Sequence, residues 1–173
     1  MFGMSSYETS AERYLNTFLS ILPQNFYDMP KYAQQMNTLG AAVVKTNHAL
    51  HCHAKLDFGA TRFVIIGGNF VIKIDKGIKE YYTKTYGNNQ SEFAFFKKYH
   101  SVLPLCPCKM IYKNDRSYLI MPKCKKVGKL CFENYFDSND FLDYNLSDVH
   151  EENIGLLNKM PVIIDYAANE EER

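Results

Sequence analysis

Apolar residues recur at Leu15, Phe18, Leu19 and Leu22, the spacing of one helical face, and the pattern predicts an amphipathic helix over about residues 10–22. Thr9 and Glu12 ahead of it have the form of a capping box. Pro23 and the Pro30 region break this helix, and a second helical stretch is predicted over about 31–50, weakened by Gly40. From Leu56 the texture changes. Phe63–Ile66 and Phe70–Ile74 are β-branched and aromatic runs flanking Gly67-Gly68, a two-residue hairpin signal. A short helix is predicted around 89–100, then a hairpin of 109–113 with 117–121 about Asn114-Asp115. A loop or short helix fills 124–147, and a last hairpin joins 154–157 to 161–164 through Asn158-Lys159. The order predicts an α+β chain: an N-terminal helical extension over 1–54, then an antiparallel sheet with one central helix over 55–123. A short final unit spans 124–173.

Composition narrows the class. A chain of 173 residues with 46% hydrophobic and 14% aromatic content can bury a real core and is not a disordered composition. The net charge of +1 offers no global reason to bind nucleic acid, and the basic run Lys123–Lys126 reads as a solvated surface. No apolar run approaches the roughly 18–20 residues of a membrane span. The N-terminus lacks the signature of a signal peptide, which places the chain in a cytoplasm. Five cysteines, an odd number, fit reduced thiols better than a disulfide framework.

Three segments carry candidate chemistry. In the run from Phe70 to Ile74, Phe70, Ile72 and Ile74 share one face and put Lys73 on the other. A lysine inside such an apolar strand is costly to bury unless an anion awaits it, although a lysine in a strand is more often a surface residue. On the following helix Glu92 shares a face with Phe95, Phe96 and Tyr99, so its carboxylate points to the core side and Lys73 is the obvious cation for it. Asn89 and Glu92 also have the spacing of a helix-capping pair. In the last segment, Asp148 and Asn153 stand five apart on a loop, and a hairpin returns the chain to Asp165. Two carboxylates and an amide oxygen at one end of a small sheet suit Mg²⁺, a hard cation that takes oxygen ligands together with phosphates.

This ordered set resembles the protein kinase and aminoglycoside-phosphotransferase superfamily, in particular small phage-encoded serine/threonine kinases with a truncated C-lobe. The resemblance covers about residues 56–167 and rests chiefly on Asp148-Val149-His150-Glu151-Glu152-Asn153 and the later Asp165. It implies a minimal kinase-like fold, with 55–123 as N-lobe and 124–173 as shortened C-lobe. It implies ATP and Mg²⁺ as cofactors, with Asp148, Lys73 and Glu92 as catalytic residues and Asn153 and Asp165 as metal ligands. The nucleotide would meet Gly59, Ala60, Thr61 and Lys73, while Met121 and Cys124 would lie by the adenine, at the end of Tyr118-Leu119-Ile120-Met121 and its following hinge. Asp57-Phe58-Gly59 spells the kinase metal-binding triplet, but it precedes the lysine strand and belongs to the nucleotide loop.

The function implied is an ATP/Mg-dependent phosphotransferase, a small serine/threonine kinase that modifies host or partner proteins. The alternative is a catalytically weak pseudokinase that binds and inhibits or redirects a host protein; it is favoured by the eight residues after Asp165, too few for an activation segment. Asp148-Val149-His150 also suggests a small-molecule acceptor such as an aminoglycoside. A further cluster, His48, His51, Cys52 and His53 with Cys106 and Cys108, has zinc-competent ligand types at a spacing of no standard site. A helix end with exposed histidines is the simpler reading.

Overall fold

The computed structural model describes residues 5–29, 32–59, 62–76, 89–127, 144, 146 and 150–166. Two helices open the chain, α1 (Ser6–Ile21) and α2 (Tyr32–Leu50), with a single 3-10 turn at Phe26–Asp28 between them. Strands β1 (Lys55–Phe58), β2 (Arg62–Ile66) and β3 (Phe70–Asp75) follow, then α3 (Asn89–Tyr99), β4 (Lys109–Lys113) and β5 (Arg116–Pro122). The five strands form one antiparallel sheet in the order β1-β2-β3-β5-β4. A second sheet joins β6 (Lys125–Lys126), β7 (Ile154–Leu157) and β8 (Met160–Ile163) in sequence order. The α+β class expected from the sequence holds. Among the described residues no helix is long and apolar enough to cross a membrane.

Strand alternation divides the core into two. Phe63 and Ile65 of β2, Phe70, Ile72 and Ile74 of β3, and Tyr118 and Ile120 of β5 are buried together against Ala11, Tyr14, Leu15 and Phe18 of α1 and Leu39, Ala42 and Val43 of α2. The first helices are therefore part of the sheet's own core, and α1 packs directly on β3 and β5. On the other face Leu119 and Met121 meet Phe95 of α3 and a cluster with Ile154, Val162, Ile163 and Tyr166. Lys73 lies on this second face.

The small sheet is tied down next to that face. Cys106 N donates to Ile163 O and Ile163 N to Pro104 O, each at 2.8 Å, so the segment before β4 runs alongside β8. The buried Tyr166 hydroxyl donates to Cys106 O at 2.8 Å. These bonds fix where the chain emerges after β8, at Ile164 and Asp165.

Several sequence expectations shift. Helix α1 starts at Ser6 rather than 10, and no capping box forms: the Thr9 hydroxyl donates to Ser5 O at 3.4 Å, while Glu12 pairs with Lys109 of β4 at 2.7 Å. Tertiary pairing took the carboxylate that local capping would have used. Asp57 and Phe58 lie in β1, paired with Val64 and Phe63, rather than in a loop. Gly67 N donates to Phe70 O at 2.9 Å, so the β2–β3 turn is Gly68-Asn69, one residue later than expected. Gly67 is needed there because a Cβ would stand 2.4 Å from the Phe70 ring. The stretch predicted as loop or helix from 124 opens with β6, because the exposed Lys125 and Lys126 pair with Leu156 and Gly155. The rest of that stretch, save Val127, Tyr144 and Leu146, is outside the described residues.

Candidate functional site

The site begins with a charged residue that the strand period forces to the α3 face. Register pairs Val64 with Lys73 and Arg62 with Asp75, so Arg62, Val64, Lys73 and Asp75 share that face. Helix α3 lies over it. Its first turn is held by Asp75, whose carboxylate accepts the Asn89 N–H at 3.1 Å, and by Asn89 itself, whose amide donates to Lys73 O at 2.9 Å and Ser117 O at 3.0 Å. Burial raises the Asp75 carboxyl above the usual range. Because Asp75 caps the helix, Glu92 is left to turn inward, and the capping-pair reading of Asn89 and Glu92 is set aside.

Glu92 is completely buried and fully partnered. Lys73 Nζ donates to its two oxygens at 2.7 and 3.0 Å, and Arg62 Nη1 donates to Oε2. Lys73 and Arg62 are each 6% exposed. Both reach onward to the segment after β8: Lys73 Nζ donates to Ile164 O at 3.0 Å and lies 3.4 Å from Asp165 Oδ1, while Arg62 Nη2 donates to the same Oδ1 at 2.7 Å. Two cations and two carboxylates thus form one network, neutral in sum. Burial pushes the Asp165 carboxyl up, but Lys73 and Arg62 beside it outweigh burial and hold it below the usual carboxylate value. For Arg62, burial opposes the charged form, and Glu92 and Asp165 more than restore it. Asp165 differs from the other three in being open to solvent, with 45% of its side chain exposed.

Asn153 stands beside this opening. It ends a 3-10 turn (Glu151–Asn153) before β7, and Ile164 N donates to Asn153 O at 2.8 Å, which sets Asn153 next to Asp165 at one end of the small sheet. Its side-chain nitrogen lies 3.1 Å from His150 Nε2. Asp148, Ala60 and Thr61 lie outside the described residues. Gly59 closes the β1 end of its loop: its N–H donates to Arg62 O at 2.9 Å and its carbonyl accepts from Lys76 at 2.6 Å.

Met121 is buried in the second core, and Cys124 follows it in the link to β6. Lys123 N donates to Asn69 O at 3.0 Å, tying that link to the β2–β3 turn. Cys124 Sγ lies 3.5 Å from Cys106 Sγ, and the hydrogen bond between the two thiols lowers the pKa of Cys124 while raising that of Cys106. Burial pushes the neighbouring Cys108 up to about 12. The histidine cluster makes no comparable site. His51 closes α2 in a left-handed conformation (φ 49°), and among the described residues no group of three or more His, Cys, Asp or Glu could hold a metal ion.

Sequence reasoning brought Lys73, Glu92, Asn153 and Asp165 forward but missed Arg62. The signal was available, since buried Phe63 and Ile65 leave Arg62 on the Lys73 face in any register that pairs β2 with β3 through a short turn.

No protein-family model and no curated protein matches the chain. Among solved structures, the crystal structure of WbdD matches with a TM-score of 0.39 and 14% identity over 70% of this chain and 33% of that one. The chain thus spans about a third of that protein's length. The resemblance to the protein kinase and aminoglycoside-phosphotransferase superfamily is corrected accordingly, for no family model supports it. Short motifs on strand ends and turns produced it, and likeness at a few positions does not extend along the chain.

Proposed function

We propose that this chain binds ATP with Mg²⁺ and transfers the terminal phosphate to a serine or threonine hydroxyl of a partner protein in a cytoplasm. The observation that supports it is a buried cationic pair, Lys73 and Arg62, bound to Glu92 at the back and to a half-open carboxylate, Asp165, at the front. A network of this kind offers anion-binding groups and a metal-binding oxygen at one opening. Structural ion clusters need no such opening.

The donor set fits magnesium. Asp165 supplies a carboxylate held ionised by its neighbours, and Asn153 an amide at the same sheet end; magnesium is usually bound by one or two carboxylates together with substrate phosphates. When bound, the ion neutralises phosphate charge and favours attack at phosphorus. Lys73 would bind the phosphates, and Glu92 holds its ammonium in place against α3. Asp148 would orient the acceptor hydroxyl. The link from Met121 to Cys124 would border the adenine.

The test is titration of ATP into the protein with and without Mg²⁺, followed by incubation with γ-labelled ATP, the protein alone and with a cell lysate. Magnesium-dependent binding and label on a discrete protein band support the reading. Binding without transfer indicates a nucleotide-dependent binding module, and no binding of either form refutes the proposal.

A further inference from the structure

We infer that Arg62 is the positioning residue of this site: its two-armed guanidinium sets the distance between Glu92 and Asp165 and balances their charge, so that Lys73 can be shared with a phosphate. The inference rests on the phosphate-and-metal reading and adds to it a residue without which Lys73 alone would face two carboxylates.

The geometry carries it in three ways. Arg62 Nη1 is bound to Glu92 and Nη2 to Asp165, residues 73 positions apart in the chain, so one rigid planar group joins α3 to the segment after β8. Lys73 already donates to Glu92, to Ile164 O and toward Asp165, which occupies its three protons. It can accept a phosphate only by giving up a contact, and Arg62 keeps Glu92 and Asp165 neutralised when it does. Finally, both Arg62 and Lys73 act on Asp165 Oδ1, so the carboxylate is gripped on one oxygen.

Charge gives the inference its distinguishing signature. With Arg62 the four residues sum to zero; Arg62→Gln leaves them at a net charge of minus one. A structural role alone would weaken every ligand alike. The positioning role predicts opposite signs: the anionic nucleotide is bound more weakly, while a divalent cation alone is bound at least as tightly.

The experiment measures Mn²⁺ binding without nucleotide by electron paramagnetic resonance, and Mg-ATP binding by calorimetry, on wild type, Arg62→Gln and Arg62→Lys. Folding is checked by circular dichroism. Arg62→Gln should weaken Mg-ATP by about tenfold or more, the equivalent of one lost charge-assisted hydrogen bond, and should hold or tighten Mn²⁺. Arg62→Lys restores the charge but not the span, so it should recover only part of the nucleotide affinity. Equal weakening of both ligands by Arg62→Gln, or no change in either, overturns the role. Should that variant not fold, arginine side-chain nitrogen resonances of the wild type decide: Arg62 should respond to Mg-ATP and not to AMP, and the same response to both overturns it. If folded wild type binds Mn²⁺ but no Mg-ATP, the nucleotide reading fails and takes the Arg62 role with it. Wild-type binding with an unaltered Arg62→Gln removes the Arg62 role alone.

Discussion

Glu92→Gln probes the network at its most buried point with almost no change of shape. The carboxylate receives Arg62 Nη1 and two contacts from Lys73, at 2.7 and 3.0 Å, and is 0% exposed. Glutamine keeps one acceptor oxygen but turns an N–H₂ donor toward the second cation. One charge-assisted bond is lost, about 1.5–3 kcal/mol, and a cation is left facing a donor. Breaking a buried pair from one side generally costs about 3–5 kcal/mol. Asp165, 2.7 Å from Arg62 and 3.4 Å from Lys73, still offsets part of the charge, which places the expected loss near the lower end. At about 2–4 °C per kcal/mol for a chain of this size, a loss of about 3 kcal/mol lowers the melting temperature by about 6–12 °C. The chain has no tryptophan, so urea unfolding is best followed by far-ultraviolet circular dichroism. The double variant Lys73→Met/Glu92→Leu, which removes a cation with the carboxylate, should be less destabilised than Glu92→Gln alone. A loss under about 1 kcal/mol for Glu92→Gln, the range of exposed ion pairs, would refute the buried network.

Two further outcomes follow from the same structure. Asp165 has its folded pKa lowered, so its contribution is present above the unfolded value of about 4 and is lost as pH falls through the folded one. The stability difference between wild type and Asp165→Asn should be flat from about pH 5 to 7 and close below about pH 4; since the carboxylate is half exposed, it should amount to about 1 kcal/mol or less. A difference that widens on acidification would overturn this sign. Glycine replacements should split by space. Gly40→Ala, inside α2 with nothing within 4 Å of the added Cβ, should stabilise by about 0.5–1 kcal/mol. Gly155→Ala, whose Cβ would stand 2.4 Å from Cys124 Cβ and 3.1 Å from Ile164 Cγ2, should destabilise by about 1–3 kcal/mol. Equal melting temperatures for the two would contradict the packing around β7.

What the sequence by itself determined is what local chemistry controls. Asn114-Asp115 and Asn158-Lys159 adopt left-handed conformations (φ 50° and 57°, then 51° and 70°), which asparagine and its neighbours tolerate in tight turns, and both hairpins were legible from those pairs. Alternation in β3 placed Lys73 opposite Phe70, Ile72 and Ile74 because the strand period is strictly two. The face of α3 that carries Glu92 followed likewise from helical spacing. The tertiary structure alone decided which of two local options each polar group took. Glu12 left a capping role for Lys109, 97 residues away, and Glu92 left one for Lys73 and Arg62 because Asp75 had already capped α3. Short-range patterns leave such choices nearly degenerate, within the kcal/mol or so that a cap is worth, and a buried charge that must find a partner breaks the tie. Arg62 shows the same limit from the other side. Its face was readable from its strand, but its second partner, Asp165, lies 103 residues on and is brought within reach only by the bonds that tie β8 to the segment before β4.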